Sequence, residues 1–270
     1  MKIDSTSDLA RSAQNSGALQ ALARLGYAVN GLLHILIAGI AIAVALGGSG
    51  GESADQSGAL GQLASSPGGV FVLWTVVVGL AALGLWLLLS AFLLKGGDPK
   101  KKWSHRASEI GKAVVYFLLA ATASTFASGG STSSSASASD ASAQLLAAPG
   151  GVVLLVVVGL GVLAIAVYFV QKGARQKFTE DISVPGGTTG RAIIALGVVG
   201  YVAKGIALAV VGVLVVIAAV TLDPSKSSGL DGALKSLIAL PYGGLVLGTI
   251  SVGLMAYGGY CFARAWRARL

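Results

Sequence analysis

Six runs of apolar residues dominate the chain, at 25–47, 69–94, 110–128, 150–171, 197–222 and 243–262. With about 1.5 Å of rise per residue, a helix over each run covers or nearly covers a hydrocarbon core of roughly 30 Å. The shortest run is 110–128, and the longest must tilt or extend past the hydrocarbon. None has a strong 3.6-residue period, as expected of helices that are apolar on every side. A water-soluble globule is excluded: 54% of the 270 residues are hydrophobic and 11% are charged, against about 25% charged in an ordinary soluble domain. Aromatics make up only 7%, so Ala, Val, Leu and 39 Gly supply the bulk, which suits close helix packing in lipid. The expected fold is all-α and integral to a membrane, with six transmembrane helices.

Charge sets the expected orientation. Lys2, Arg11 and Arg24 precede the first run, and Lys95, Lys100, Lys101, Lys102 and Arg106 lie between the second and third. Lys172, Arg175, Lys177 and Arg191 lie between the fourth and fifth, and Arg264, Arg267 and Arg269 close the chain. The alternate loops hold only Lys226 and Lys235, beside Glu52, Asp55, Asp140, Asp223 and Asp231. By the positive-inside rule both termini are expected in the cytoplasm. The net charge of +8 follows from this loop bias, so nucleic acid is not an expected partner. The first 24 residues lack the apolar core of a signal peptide. Leu9, Leu19 and Leu22 within them suit either an interfacial helix or a frayed tail.

The chain also repeats itself. Pro67-Gly68-Gly69 returns 82 residues later as Pro149-Gly150-Gly151, and 92 further on as Pro241-Tyr242-Gly243-Gly244, with a Tyr inserted after the proline. At these offsets Gly79, Gly161 and Gly253 coincide, as do the small residues Gly84, Ala166 and Gly258 and the aromatics Trp86, Tyr168 and Tyr260. Gly26-Tyr27 matches Gly200-Tyr201, and Gly31 matches Gly205; the middle unit has Ser108, Glu109 and Ala113 there. The expected organisation is an N-terminal arm (1–24) and three two-helix repeats (25–95, 96–172 and 173–270). Units of two helices return the chain to its starting side, so the copies run parallel, and three of them imply pseudo-threefold symmetry about the membrane normal. Ser57, Ser139 and Asp231 sit where an N-cap is needed. They predict a short amphipathic helix on the outer leaflet before the second helix of each repeat. The stretch 128–142, nearly all Ser, Ala, Gly and Thr, reads as a flexible loop.

Leu25-Gly26-Tyr27, Gly200-Tyr201-Val202-Ala203-Lys204-Gly205 and Gly229-Leu230-Asp231-Gly232-Ala233-Leu234 before Pro241-Tyr242-Gly243 resemble the bacterial membrane family catalogued as domain of unknown function 1206 (DUF1206). The resemblance covers nearly the whole chain. It implies six membrane helices and no established chemistry. The family pattern has an arginine before the helix-start glycine; Asn30 and Lys204 stand there in this chain.

Ionisable groups inside apolar runs are costly and mark candidate sites. Asn30, Lys112 and Lys204 occupy one repeat position, and Glu109 lies three residues before Lys112, on the same helix face. These residues fit lysines snorkelling to the headgroups, a polar ring holding an anionic lipid headgroup or small anion, or the lining of a pore. His34 is matched by Tyr116 and Leu208 in the other units, and reads as a neutral hydrogen-bonding group or a protonatable sensor. Tyr27, Tyr201, Trp103 and Trp266 suit an interfacial aromatic belt. One cysteine (Cys261) and two histidines leave no disulfide framework, metal set or catalytic relay, and Gly-x-Gly strings inside spans are not nucleotide fingerprints. The expected function is non-enzymatic and cofactor-free: binding of membrane lipids, including anionic ones, or of a membrane-protein partner or second copy. The alternative is a channel or carrier for a small solute or ion, with its site on the pseudo-threefold axis or between repeats.

Overall fold

The computed structural model describes residues 16–48, 51–93 and 99–269. Most of the N-terminal arm, including Leu9, and the loop residue Lys95 therefore lie outside the described residues. Among the described residues, six helices are long and apolar enough to cross a membrane. They are α1 (Gly17–Ala45), α3 (Gly69–Leu93), α4 (Pro99–Ala127), α6 (Gly151–Ala174), α7 (Gly187–Thr221) and α9 (Gly243–Arg267). Three short helices precede the second long helix of each repeat: α2 (Gln56–Ser65), α5 (Ser134–Ala147) and α8 (Gly229–Ser236), the last continued by a 3-10 turn at Leu237–Ala239. Among the described residues, β-pairing is limited to an isolated bridge between Ile182 and Ala268. The chain is thus an all-α protein of multi-pass membrane type.

The turns between short and long helices explain the recurring Pro-Gly-Gly. Gly68, Gly150 and Tyr242 all adopt left-handed backbone, with φ of 75°, 76° and 59°. Tyr242 is therefore a substitution at the glycine position, not an insertion, and carries the strain that a Cβ brings there. The next residue starts the long helix and is glycine in every copy. A Cβ on Gly69, Gly151 or Gly243 would collide with the carbonyl of Leu63, Leu145 or Leu237, one repeat position in all three.

Two expectations need correction. The Ser/Ala stretch is helical from Ser134. Ser133 accepts a bond from the backbone N–H of Ala136 as N-cap, and alanine favours helix strongly enough for the rest to follow. The caps also lie elsewhere than Ser57, Ser139 and Asp231. Asp55 caps α2 through the N–H groups of Ser57 and Gly58, and Ser228, at the N-cap of α8, makes no side-chain cap bond. The three expected caps join neighbouring repeats instead. Ser57 Oγ accepts from Ser134 N (3.1 Å), Ser139 Oγ donates to the carbonyl of Ser227 (3.5 Å), and Asp231 Oδ1 accepts from Ala54 N (2.6 Å). α2, α5 and α8 are thereby tied into one hydrogen-bonded circuit with Asp55, Ser57 and Asp231 buried. Leu60 and Leu234, each 1% exposed, anchor two of these helices in the core.

The long helices pack in the order α4, α3, α1, α9, α7, α6. Small residues make the approaches close. Between repeats one contact recurs: the backbone at Gly31 meets Gly258, that at Gly205 meets Ala166, and Gly84 meets Phe117. Within repeats a second contact recurs twice, Gly26 against Gly79 and Gly200 against Tyr257, with Gly253 against Ala203. The middle repeat lacks it. Its helices α4 and α6 do not pack along each other among the described residues, and Gly111 and Gly161 both face open space.

Candidate functional site

The end of α3, the start of α4, the connection from α6 to α7 and the end of α9 lie at the end of the bundle opposite the short helices, and Arg106, Lys172, Arg175, Lys177, Arg191, Arg264 and Arg267 make it basic. Just inside it the sequence candidates fall into two groups. Tyr27, Asn30 and His34 on α1 meet Tyr201 and Lys204 on α7 through α9, whereas Lys112 and Glu109 form an ion pair on α4.

Lys204 does not run out along the helix to solvent. Its Nζ lies 3.2 Å from His34 Nε2 and 4.2 Å from the centroid of the Tyr257 ring, with Phe169 at 5.3 Å. His34 Nδ1 sits 2.8 Å from the carbonyl oxygen of Asn30. A carbonyl only accepts, so Nδ1 carries the proton and Nε2 offers its lone pair to the ammonium. Asn30 in turn donates to Cys261 Sγ at 3.4 Å. Among the described residues no carboxylate pairs with Lys204; its charge is met by an imidazole lone pair and two aromatic faces, each of the latter worth about 1–2 kcal/mol when desolvated.

A second charged group stands next to it. Arg264 lies over the Tyr27 ring (4.4 Å) and Lys172 over the Tyr201 ring (5.6 Å). Lys172 and Arg264 share one repeat position, as do Tyr27 and Tyr201, so one cation-over-tyrosine contact is built twice. Both cations also hold Asp181, at 2.6 Å (Lys172) and 3.6 Å (Arg264). Burial pushes the Asp181 carboxyl up, but Arg264 and Lys172, helped by Lys112, outweigh it and hold the group below its ordinary range. Arg264 Nε is buried without a hydrogen-bond partner. The ten extra residues of the third repeat build this corner. The 3-10 turn Lys177–Asp181 brings Asp181 and also Phe178, whose ring stacks on Tyr201 (5.4 Å) and whose carbonyl accepts from Tyr260. The turn is tied to the C-terminal segment by Ser183 N to the Arg267 carbonyl and Arg269 N to the Asp181 carbonyl.

Tyr116 packs with Tyr27, Trp86 and Ala113. Trp103 and Trp266 are exposed at 70% and 78%. Sequence reasoning did not single out Arg264, Lys172, Asp181, Phe178 or Tyr257 as site residues. The shared repeat position of Lys172 and Arg264 was the available signal, concealed because both also serve the loop charge bias. Elsewhere, an apolar groove of about 550 Å³ runs between α6 and α7 to the 3-10 turn after α8. Val170, Val210, Val213, Leu214 and Leu237 line it, and none of the cations above does. No group of metal-ligating side chains occurs among the described residues.

This architecture defines a multi-pass membrane protein built from three copies of a helical hairpin. The model of the Domain of Unknown Function (DUF1206) family matches three times, at residues 25–93, 108–176 and 199–268, and the chain belongs to that family. It is 31% identical over 247 residues to the uncharacterized protein YxxB of Bacillus subtilis (strain 168), across 89% of this chain and 88% of that protein. No solved structure matches it.

Proposed function

We propose that this is a non-enzymatic protein of the bacterial cytoplasmic membrane that holds an anionic, phosphate-bearing lipid headgroup at the cluster of Lys204, His34, Arg264 and Lys112. Both termini face the cytoplasm, in line with the basic loops, where anionic lipid headgroups attract such cations. The short helices lie amphipathically on the outer leaflet, and the three repeats surround a pseudo-threefold axis. The recurrence of the Gly31–Gly258, Gly205–Ala166 and Gly84–Phe117 contacts supports that symmetry. No cofactor and no nucleic acid are needed.

One observation carries the reading: Lys204 is turned into the bundle and, among the described residues, its ammonium meets neutral partners, His34 and two rings. A cation so placed has unspent capacity for an anion. An axial channel is less well supported, because Leu60, Leu234 and the polar circuit of α2, α5 and α8 fill the short-helix end. The test is native mass spectrometry of protein taken from nanodiscs of equal phosphatidylglycerol and phosphatidylcholine. Wild type should retain phosphatidylglycerol preferentially, and Lys204→Met should lower that preference about tenfold, the equivalent of about 1.4 kcal/mol. Equal retention of the two lipids by wild type would refute the reading.

A further inference from the structure

We infer that the open seam between α4 and α6 is a lateral slot for an acyl chain of one anionic phospholipid, whose headgroup sits at the basic end of that same seam. This rests on the headgroup reading above and adds where the lipid enters and lies.

Repeat equivalence identifies the seam. Gly79 and Gly253 each pack on the first helix of their own repeat, against Val29 and Ala203 among others. Their counterparts in the middle repeat are Gly161 and Gly111, and neither has a neighbour. On α6, Leu154, Gly161, Ile165 and Tyr168 recur at helical spacing on this face, and the three side chains among them are about half exposed. Opposite, Val115 on α4 is 54% exposed. Inside a bilayer, an apolar gap between two helices is filled by lipid hydrocarbon or by another apolar helix, and the charge at the end of this one selects lipid.

The seam ends in charge. Tyr168 abuts Phe169 (ring centroids 6.0 Å apart), and Phe169 faces Lys204. Lys112 stands on the α4 side and Lys172 on the α6 side. Together with Arg264 they set four cations against the two carboxylates Glu109 and Asp181. This excess complements a phosphodiester, and it lies where the headgroup of a chain lodged in the seam would fall. The groove between α6 and α7 has no such charge, so it lacks the feature that selects an anionic lipid.

The experiment places the photoreactive residue benzoylphenylalanine at Ile165, with Leu154 as a second seam position and Val252, an exposed residue of α9, as the control. Each protein is illuminated in nanodiscs of equal phosphatidylglycerol and phosphatidylcholine, and the adducts are identified by mass. The expected result is a several-fold excess of phosphatidylglycerol adducts at Ile165 or Leu154 and the bulk ratio at Val252. Bulk ratios at both seam positions, no lipid adduct at either, or a cross-link to a second copy of the chain would overturn the slot. Adding Lys204→Met separates the two proposals. If that change lowers phosphatidylglycerol retention while the seam reports only the bulk ratio, the slot fails and the headgroup reading stands. If the seam stays enriched in the variant while phosphatidylglycerol retention is unchanged, Lys204 is not the headgroup's anchor and that part of the headgroup reading fails, while the seam still holds an anionic lipid through Lys112, Lys172 and Arg264.

Discussion

The first and third repeats close their hairpins, whereas the second leaves its hairpin open, though all three derive from one pattern. In the closed hairpins both helices bring a glycine to the crossing: Gly26 meets Gly79, and in the third repeat Gly200 meets Tyr257 while Gly253 meets Ala203. In the middle repeat the first of these glycines is Ser108, and Glu109 replaces the tyrosine that anchors each sibling. Tyr27 and Tyr201 bury under a cation from the preceding repeat; Glu109 instead pairs with Lys112 on its own helix. Two substitutions therefore remove both the close approach and the aromatic anchor from one hairpin. The short-helix end remains joined all round, because the three bonds of its circuit run between repeats. Local loss of one interface is tolerated when the next level of contact is intact.

The sharpest contrast comes from leucine at equivalent glycines. A Cβ on Gly200 would lie 2.5 Å from the Cα of Tyr257, so backbone must move. Gly200→Leu should lower stability by about 3 kcal/mol, as severe overpacking does, while Gly161→Leu should change it by less than about 0.5 kcal/mol, as at an open surface. Thermal unfolding in detergent measures both. Equal losses would mean that the middle hairpin is closed too.

Asp231→Ala breaks the circuit at the short-helix end, leaving the buried Ala54 N–H without its acceptor. The expected loss is about 1–3 kcal/mol. An unchanged midpoint would remove the circuit as the element that holds the open repeat in place.

A smaller effect comes from Asp181. Its carboxyl is held below the ordinary range, so it contributes stability above about pH 4, and that contribution fades as pH falls through the lowered value. Asp181→Asn should lower the unfolding midpoint at neutral pH by less than Asp231→Ala does, and should flatten the acid limb of the stability profile. A variant whose acid limb matches wild type would contradict the role of Lys172 and Arg264 as its clamps.

The smallest change should be a gain. Tyr242→Gly removes a Cβ from left-handed backbone and makes the third turn like the other two, for about 1 kcal/mol of added stability. A loss would show that the exposed Tyr242 ring has anchoring contacts of its own.

Much of this architecture was legible in the residues. Six apolar runs gave six long helices, and the fixed offsets of Gly79, Gly161 and Gly253 gave the repeat. Those glycines could not disclose that one of the three faces nothing, since the same residue type permits contact and tolerates its absence. The capping roles of Ser57, Ser139 and Asp231 were misread because a polar residue near a helix start serves its own helix or a neighbour equally well, and spacing does not distinguish them. At the site, Asn30, His34 and Lys204 were identifiable as costly groups in apolar runs. Their meeting through α9 was not, because it depends on which helices neighbour one another. Asp181 and Phe178 were hidden in a loop whose only visible feature was its ten additional residues.

The most direct test is a cryo-electron microscopy map of the protein in nanodiscs containing phosphatidylglycerol. The account requires α4 and α6 to stand apart, with elongated acyl-chain density between Val115 and Ile165 running to a headgroup beside Lys112 and Lys204. Direct packing of Gly111 against Gly161, leaving no lipid between the helices, would contradict it.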